Sequence, residues 1–380
     1  MKVKIKYIII LIIILIIGMF GVNLYKPNKE QVLRGKIEII VYSDTYDYLS
    51  ECAERFMELN NKAEVKVKKI YNDKEIMQEI NNKNDNVTYI AQIDRSDFED
   101  MKLEKVNYFE EQQDILSAYS KNFSQYRLQQ MKYDDISIGI PFTSRPLALY
   151  IREDMLNEYG YTRDDINTWD DIISIGKDIY VRSNEKVRII NATGQDYEDL
   201  VSLLIMQYMG KNIPSEDVKA KTDSMISELN NNNILNLNEG GEFLGRISSI
   251  NAIKEISAID IECTWSIGNV PSISHGSSKF FCNEGDNLVV LNNVEDNRKL
   301  VEKFITYVIT NNSDAVKYVT KGDFFSCYLY TYKNKDIEVM PNNFEGNSPI
   351  IILNNIEEKS NTISDYNKFI DIKKTYTGSN

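Results

Sequence analysis

Ile138-Gly-Ile-Pro-Phe-Thr-Ser-Arg-Pro-Leu-Ala-Leu-Tyr-Ile-Arg-Glu-Asp-Met-Leu156 joins a strand running from Ile136 to Pro141 to a second apolar run, Leu147 to Ile151, with Thr143, Ser144 and Arg145 in the link. Upstream of it, strand and helix patterns alternate. Ile37, Ile39 and Val41 take every second position, as in a strand, and the run ends at Tyr42, Ser43 and Asp44. Leu49, Cys52, Ala53, Phe56 and Met57 then fall on one face of a helix with 3.6 residues per turn. Val65, Val67 and Ile70 mark a second strand, Ile76, Met77 and Ile80 a second helix, and Val87 to Ile93 a third strand. Downstream, Thr168 caps a helix from Trp169 to about Tyr180, with Asp171 in the capping-box position. Asp199 to Tyr208 reads as helix and Asn230 to Asn233 as loop. Leu300, Val301, Phe304, Ile305 and Val308 mark an amphipathic helix, and Ser364 to Lys374 a final one. Alternation of this kind predicts an α/β fold with helices on both faces of a largely parallel sheet, and such sheets bind ligands beyond the carboxyl ends of their strands. Tyr42 to Asp47 and Gln92 to Arg95 occupy such ends.

The chain has 380 residues, enough for one large core or two modest ones, and a formal charge of -13. That balance opposes nucleic-acid binding, which needs a surplus of Lys and Arg to displace counterions. Lys2, Lys4 and Lys6 precede an apolar run from Tyr7 to Val22. The segment 1–25 reads as a transmembrane signal anchor or a cleaved signal peptide; its length, and the lack of an Ala-x-Ala site, favour the anchor. In either case the lysines stay on the cytoplasmic side and the remainder, of charge -16, is sent outside.

Catalytic signatures are missing from the sequence, which predicts a protein that is not an enzyme. There is no G-x-S-x-G and no phosphate-cradling glycine loop, and the single histidine, His275, lies in a Ser- and Gly-rich loop. Asp164-Asp165, Asp170-Asp171 and Glu110-Glu111 are adjacent pairs, which do not face each other on a helix as a glycosidase pair must. The four cysteines lack metal-ligand spacing, so neither metal nor cofactor is expected. Cys52 falls on a buried helix face, and Cys263, Cys282 and Cys327 leave room for one disulfide. Tyr328, Tyr330 and Tyr332 alternate as on one face of a strand, and Trp169 and Trp265 read as core.

From about residue 36 to 375 the chain resembles the extracellular solute-binding proteins of ABC importers, in the sugar-binding group that includes maltose-binding protein. The opening stretch is similar to that family's G-x-P-(about five residues)-L-x-Y-N-K-D-L segment, where the chain first crosses between lobes, and Thr168-Trp169-Asp170-Asp171 is similar to its T-W-D-E helix start. Tyr89-Ile-Ala-Gln-Ile-Asp-Arg95 resembles a strand followed by a ligand-facing loop. Val270-Pro271 and Asn283-Glu-Gly-Asp-Asn-Leu-Val-Val-Leu291 resemble the return crossover. Three features depart from the family: no lipidated Cys follows the leader, Arg152 replaces the Asn of Y-N-K-D, and Gly245-Arg-Ile-Ser-Ser-Ile-Asn-Ala-Ile253 carries no aromatic ring where the family often places one.

The resemblance implies a two-lobed, periplasmic-binding-protein-like fold of type II with a hinge of crossing strands. It places 26–35 as linker, 36–141 and 287–311 in lobe 1, and 142–286 and 312–380 in lobe 2. It also implies a small solute, a carbohydrate, captured between the lobes at the outer face of the cell membrane and passed to ABC permease subunits, while Arg145 and Arg95 point to an anionic or highly hydroxylated compound. The missing lipid Cys and the altered aromatic segment motivate a second reading, a tethered sensory or interaction ectodomain of the same fold.

Candidate ligand residues are Tyr42, Ser43, Asp44, Asp94, Arg95, Thr143, Ser144, Arg145, Asn283 and Glu284. Aromatic faces beside carboxylates suit a sugar, whose ring has an apolar face and whose hydroxyls pair with acceptors. A guanidinium suits carboxylates, phosphates and hydroxyls. The alternatives are a helix cap at Ser43 or Asp44 and surface or hinge ion pairs at the arginines.

Overall fold

A computed structural model describes residues 32–377, apart from 82–83, 102–108, 134–135, 211–212, 293 and 364. The apolar run of 7–22 lies outside the described residues, among which no helix is long and apolar enough to cross a membrane.

In the first lobe, β1 (Arg34–Val41), α1 (Tyr46–Leu59), β2 (Lys62–Lys69), α2 (Asp73–Asn81) and β3 (Thr88–Ile93) follow the expected alternation, and β1 pairs in parallel with both β2 and β3. β3 is buried along its whole length, as a central strand covered on both faces must be. α1 buries Leu49, Cys52, Ala53 and Phe56, the face its 3.6-residue spacing selects. α3 (Arg95–Asp100), α4 (Phe109–Tyr119) and α5 (Gln125–Gln130) lead to a hairpin of β4 (Lys132–Tyr133) and β5 (Ile136–Ser137), then β6 (Ile140–Pro141). The strand expected from Ile136 to Pro141 is thus two pieces. At Gly139, between them, a Cβ would lie 2.5 Å from the carbonyl oxygen of Leu288.

The second lobe comprises β7 (Ala148–Arg152), α6 (Glu153–Glu158), α7 (Trp169–Arg182), β8 (Val187–Asn191), α8 (Gly194–Met209), α9 (Ser215–Asn231), β9 (Leu235–Asn236), β10 (Glu242–Ser248), α10 (Asn251–Ser257) and β11 (Trp265–Asn269). Its sheet runs β11-β7-β10-β8-β9. α7 opens with the expected capping box, Thr168 Oγ1 accepting from the Asp171 amide at 3.2 Å and Asp171 Oδ2 from the Thr168 amide at 2.8 Å. Asn230 and Asn231 still belong to α9, so the Asn-rich turn is shorter than its composition suggests. Trp169 and Trp265 are both buried.

The chain returns through β12 (Asn287–Val290), which pairs antiparallel with β3 and β6 and completes a sheet ordered β2-β1-β3-β12-β6. It continues as α11 (Arg298–Thr310), α12 (Asn312–Val319), α13 (Pro349–Lys359) and α14 (Tyr366–Thr377). The reading that gives 312–380 wholly to lobe 2 needs correction at α12. This helix packs on α1, with the Tyr318 and Tyr48 rings 5.6 Å apart and Asp314 paired to Arg55, because its apolar face of Ala315, Val316 and Val319 finds lobe 1 as its partner. α14 packs on α8 of lobe 2.

Tyr328, Tyr330 and Tyr332 do not share a strand. They lie in and beside a 3₁₀ turn, Leu329–Lys333, which buries Tyr328 and Tyr332 and leaves Tyr330 exposed. All four cysteines are free and buried, so no bridge joins Cys263, Cys282 or Cys327.

Among the described residues, three segments meet where the chain crosses between the lobes. Residues 141–147 and 281–287 run alongside each other, with Asn283 donating to the Arg145 carbonyl at 2.8 Å and Phe142 to that of Asp286 at 3.0 Å. A third segment flanks the first, Ser144 donating to Phe325 and Cys327 to Phe142. The family resemblance implied a hinge of several strands; the third strand comes from far along the chain.

Candidate functional site

The crossover lies at the carboxyl ends of strands from both sheets. Asn287, the first residue of β12, pairs with Ile93 at the end of β3, while Ala148, the first of β7, pairs with Ser248 at the end of β10. β1 is parallel to β3 and β8 to β10, so their carboxyl ends face the same place. The cleft has the turn after β1 on one side, the start of α8 on the other, and the crossover as its floor.

Ser43 and Asp44 are exposed at the end of β1, and Tyr42 is half-buried beside them. Asp44 is walled by protein although open to solvent. Burial and the nearby charge of Asp286 push its carboxyl up to about 6, against a smaller opposing pull from Arg145. On the floor, Asp286 accepts from Gln92 Nε2 at 2.6 Å and Thr143 Oγ1 at 3.1 Å, and Gln92 in turn accepts from Thr45. Arg145 Nη2 reaches Asp199 of α8 at 3.1 Å and keeps 35% of its side chain accessible. Burial disfavours its charge, but Asp199, Asp286 and Glu284 outweigh that and hold the guanidinium above its usual range. Asn283 Nδ2 donates to the same Asp199 at 2.9 Å. The side chains of Thr143, Arg145 and Asn283 thus build the floor, directly or by fixing α8 to it.

The other candidates are occupied elsewhere. Asp94 is the N-cap of α3, accepting from the Asp97 amide at 2.7 Å, and burial followed by the charge of Glu284 raises its pKa well above the usual carboxylate range. Arg95 is only 6% exposed. Its guanidinium pairs with Glu99 at 2.9 Å, bonds Asn367 of α14 and lies 4.9 Å from the Tyr366 ring centre, which leaves it no face for a ligand. Ser144 points away from the cleft to Glu357 of α13, at 2.6 Å. Glu284 pairs with Lys373 and accepts from the Tyr366 hydroxyl at 3.1 Å. Burial alone would raise its pKa, but Lys373 holds it below the usual value.

Lobe 2 contributes residues that sequence reasoning missed. Arg246 of β10 bonds Asp196 at 2.7 Å and also reaches Glu255, while Asn191 donates to Asp196 at 2.7 Å and accepts from Asn236 at 2.9 Å. Asp196 and Asp199 share one side of the first turns of α8, three positions apart, and both are buried beneath the arginines they hold; that spacing is the one visible sign of the pair in the sequence. Carboxylates therefore outnumber guanidiniums here, and both arginines already hold one. With Asp196 and Asp199 buried, exposed Asp44 and half-buried Asp286 are the acceptors left for hydroxyl or ammonium donors, beside the one accessible guanidinium of Arg145.

Behind the crossover, Glu357 is fully buried and accepts from Ser124 at 2.5 Å, Ser144 at 2.6 Å and the Cys282 thiol at 2.8 Å. Arg127, also buried, donates to the carbonyl of Asp286 at 2.9 Å and to Asn287 Oδ1 at 3.1 Å. The two crossing segments are thereby gripped from the rear.

No protein-family model matches the chain. A lactose-binding protein of Rhizobium radiobacter is 31% identical over 72 residues, a match that spans 18% of this chain and 17% of that protein. Solved structures match nearly end to end. A periplasmic solute binding protein of Pectobacterium atrosepticum superposes with a TM-score of 0.68 at 13% identity, covering 91% of this chain and 94% of that one. The sugar-binding protein MalE of Xanthomonas citri gives 0.67 at 11%, covering 91% and 93%. An ABC transporter associated binding protein of B. animalis subsp. lactis, in complex with β-1,6-galactobiose, gives 0.62 at 16%, covering 91% and 94%. The chain has the two-lobed solute-binding fold.

Proposed function

We propose that this protein is an extracellular solute-binding protein that captures a small carbohydrate between its lobes and presents it to the permease of an ABC importer, rather than an enzyme. The observation that carries this reading is the meeting of Asp44, Asp286 and Arg145 at the carboxyl ends of two sheets, between the lobes, with Asp44 exposed. Carboxylates placed this way accept from sugar hydroxyls, and the accessible guanidinium donates to them. The likeness to proteins named for lactose and β-1,6-galactobiose supports a sugar as the class of solute. Ligand touching both lobes draws them together, so binding is a population shift toward the closed form, which the permease reads. The Lys-flanked apolar segment holds the protein at the outer face of the membrane.

A thermal-shift panel of maltose, lactose and β-1,6-galactobiose tests the reading, since a ligand that binds only the folded state raises its melting temperature. At least one disaccharide is expected to raise it, and Arg145→Ala to weaken that sugar's binding by about tenfold or more in calorimetric titration. A panel with no shift sinks the carbohydrate assignment; unchanged affinity removes Arg145 from the site.

A further inference from the structure

The C-terminal helix α14 is tied to both lobes. On lobe 2 it packs against α8, and its Tyr376 hydroxyl donates to Asp223 of α9 at 2.5 Å. On lobe 1, Asn367 accepts from Arg95, Lys374 reaches Asp100 at 2.6 Å, and the Tyr366 hydroxyl accepts from Gln130 at 2.6 Å. Midway, Lys373 and Tyr366 hold Glu284 of the crossover.

The mouth of the cleft is different. Ser43 and Asp44 are exposed on the lobe 1 side, and Arg145 on the floor keeps 35% of its side chain accessible while its ion pair goes to Asp199 of lobe 2. Beside the hinge the lobes are thus tied by α14, in addition to the Lys254–Asp323 pair, while the described residues at the mouth stay accessible.

From this arrangement we infer that α14 is a strap that holds the lobes apart and sets the cost of closure. Its attachment to α8 and α9 makes it travel with lobe 2, so any rotation that closes the mouth displaces Asn367 and Lys374 from α3. Those contacts stabilise the open arrangement alone, and a ligand must overcome them to populate the closed one. Arg95, placed by its strand-end position among the ligand residues, acts on binding from here, as the lobe 1 anchor of the strap.

The inference rests on the fold and not on the identity of the solute, so its test uses no ligand. Spin labels at Glu58→Cys on α1 and Lys221→Cys on α9, both exposed, report the interlobe distance by double electron–electron resonance in the full chain, whose own cysteines are buried. The double variant Asn367→Ala/Lys374→Ala is expected to raise the shorter-distance population about three- to tenfold. Asn367→Asp, which gives Arg95 a charged partner, is expected to lower it. Asp371→Ala, an exposed change on the same helix, is expected to leave it unchanged and so separates loss of the strap from general weakening of α14. A double variant with the wild-type distribution, or one shifted to longer distances, overturns the strap and leaves the carbohydrate reading standing.

Discussion

The Asp44 carboxyl is open to solvent at the end of β1, yet it keeps its proton up to about pH 6 because surrounding protein disfavours its charge and Asp286 adds like-sign repulsion. In the unfolded chain the same group releases its proton near 3.8. Between these values the folded form binds more protons than the unfolded one, so the contribution of Asp44 to stability is full below about pH 4 and is lost as pH rises through about 6. Asp44→Asn removes this dependence. Melting temperatures measured from pH 3.5 to 8 are expected to show the variant level with the wild type at the acid end and gaining on it up to neutrality; a difference that stays flat with pH would falsify the shifted titration. The position of Asp44 was legible, because a strand period followed by Tyr, Ser and Asp marks a strand end. The role of Arg95 was not. Its partner Asn367 is 272 positions away, and a strand-end arginine looks the same in sequence whether it meets a ligand or a distant helix.

Elements built on local rules were read most directly: α1 from its apolar stripe, α7 from its capping box. The crossover was legible only in part. Its first two segments carry recognisable stretches, but the third, around Phe325 to Cys327, is a short bridge whose partners are Phe142 and Ser144 and which has no period of its own. The split of the Ile136–Pro141 strand and the turn at Leu329–Lys333 escape for the same reason, since contacts with other segments override a short alternating pattern. The tightest point of the crossover is Gly285, where a Cβ would meet the carbonyl oxygen of Thr143 at 2.4 Å and Cα of Ser144 at 2.9 Å. These are backbone atoms of a strand fixed on its other side by Phe325 and from behind by Glu357, so they cannot yield as a flexible side chain would. Gly285→Ala is therefore expected to cost about 1–3 kcal/mol in denaturant unfolding; a loss within experimental error would mean that the crossing segments slide freely.

At the scale of the whole molecule, the alternation foretold the α/β sheets and the family resemblance the two lobes, but neither foretold how the lobes' interiors connect. Successive residues of β7 divide between two cores, as a pleated strand requires: Leu149 and Ile151 join Trp169, Leu200 and Leu204 in the core of lobe 2, while Ala148 and Tyr150 face the other way. That second core is continuous with Ile37, Ile39, Ile90 and Leu288 of the first sheet through Phe142, Phe324 and Phe325, and it takes in Trp265 and Ile267 of β11. Much of the joining material is C-terminal, which no local pattern in the chain announces. A sheet that contributes one face to its own lobe and the other to a shared core cannot lose the first lobe without exposing apolar surface of its own. Chains of this length commonly unfold in steps, domain by domain. Here the shared core couples the lobes, and differential scanning calorimetry of the ligand-free protein is expected to give one transition with calorimetric and van't Hoff enthalpies in agreement. Two separated transitions, or a calorimetric enthalpy well above the van't Hoff value, would show that each lobe holds its fold alone and that the contacts behind the crossover contribute little to either.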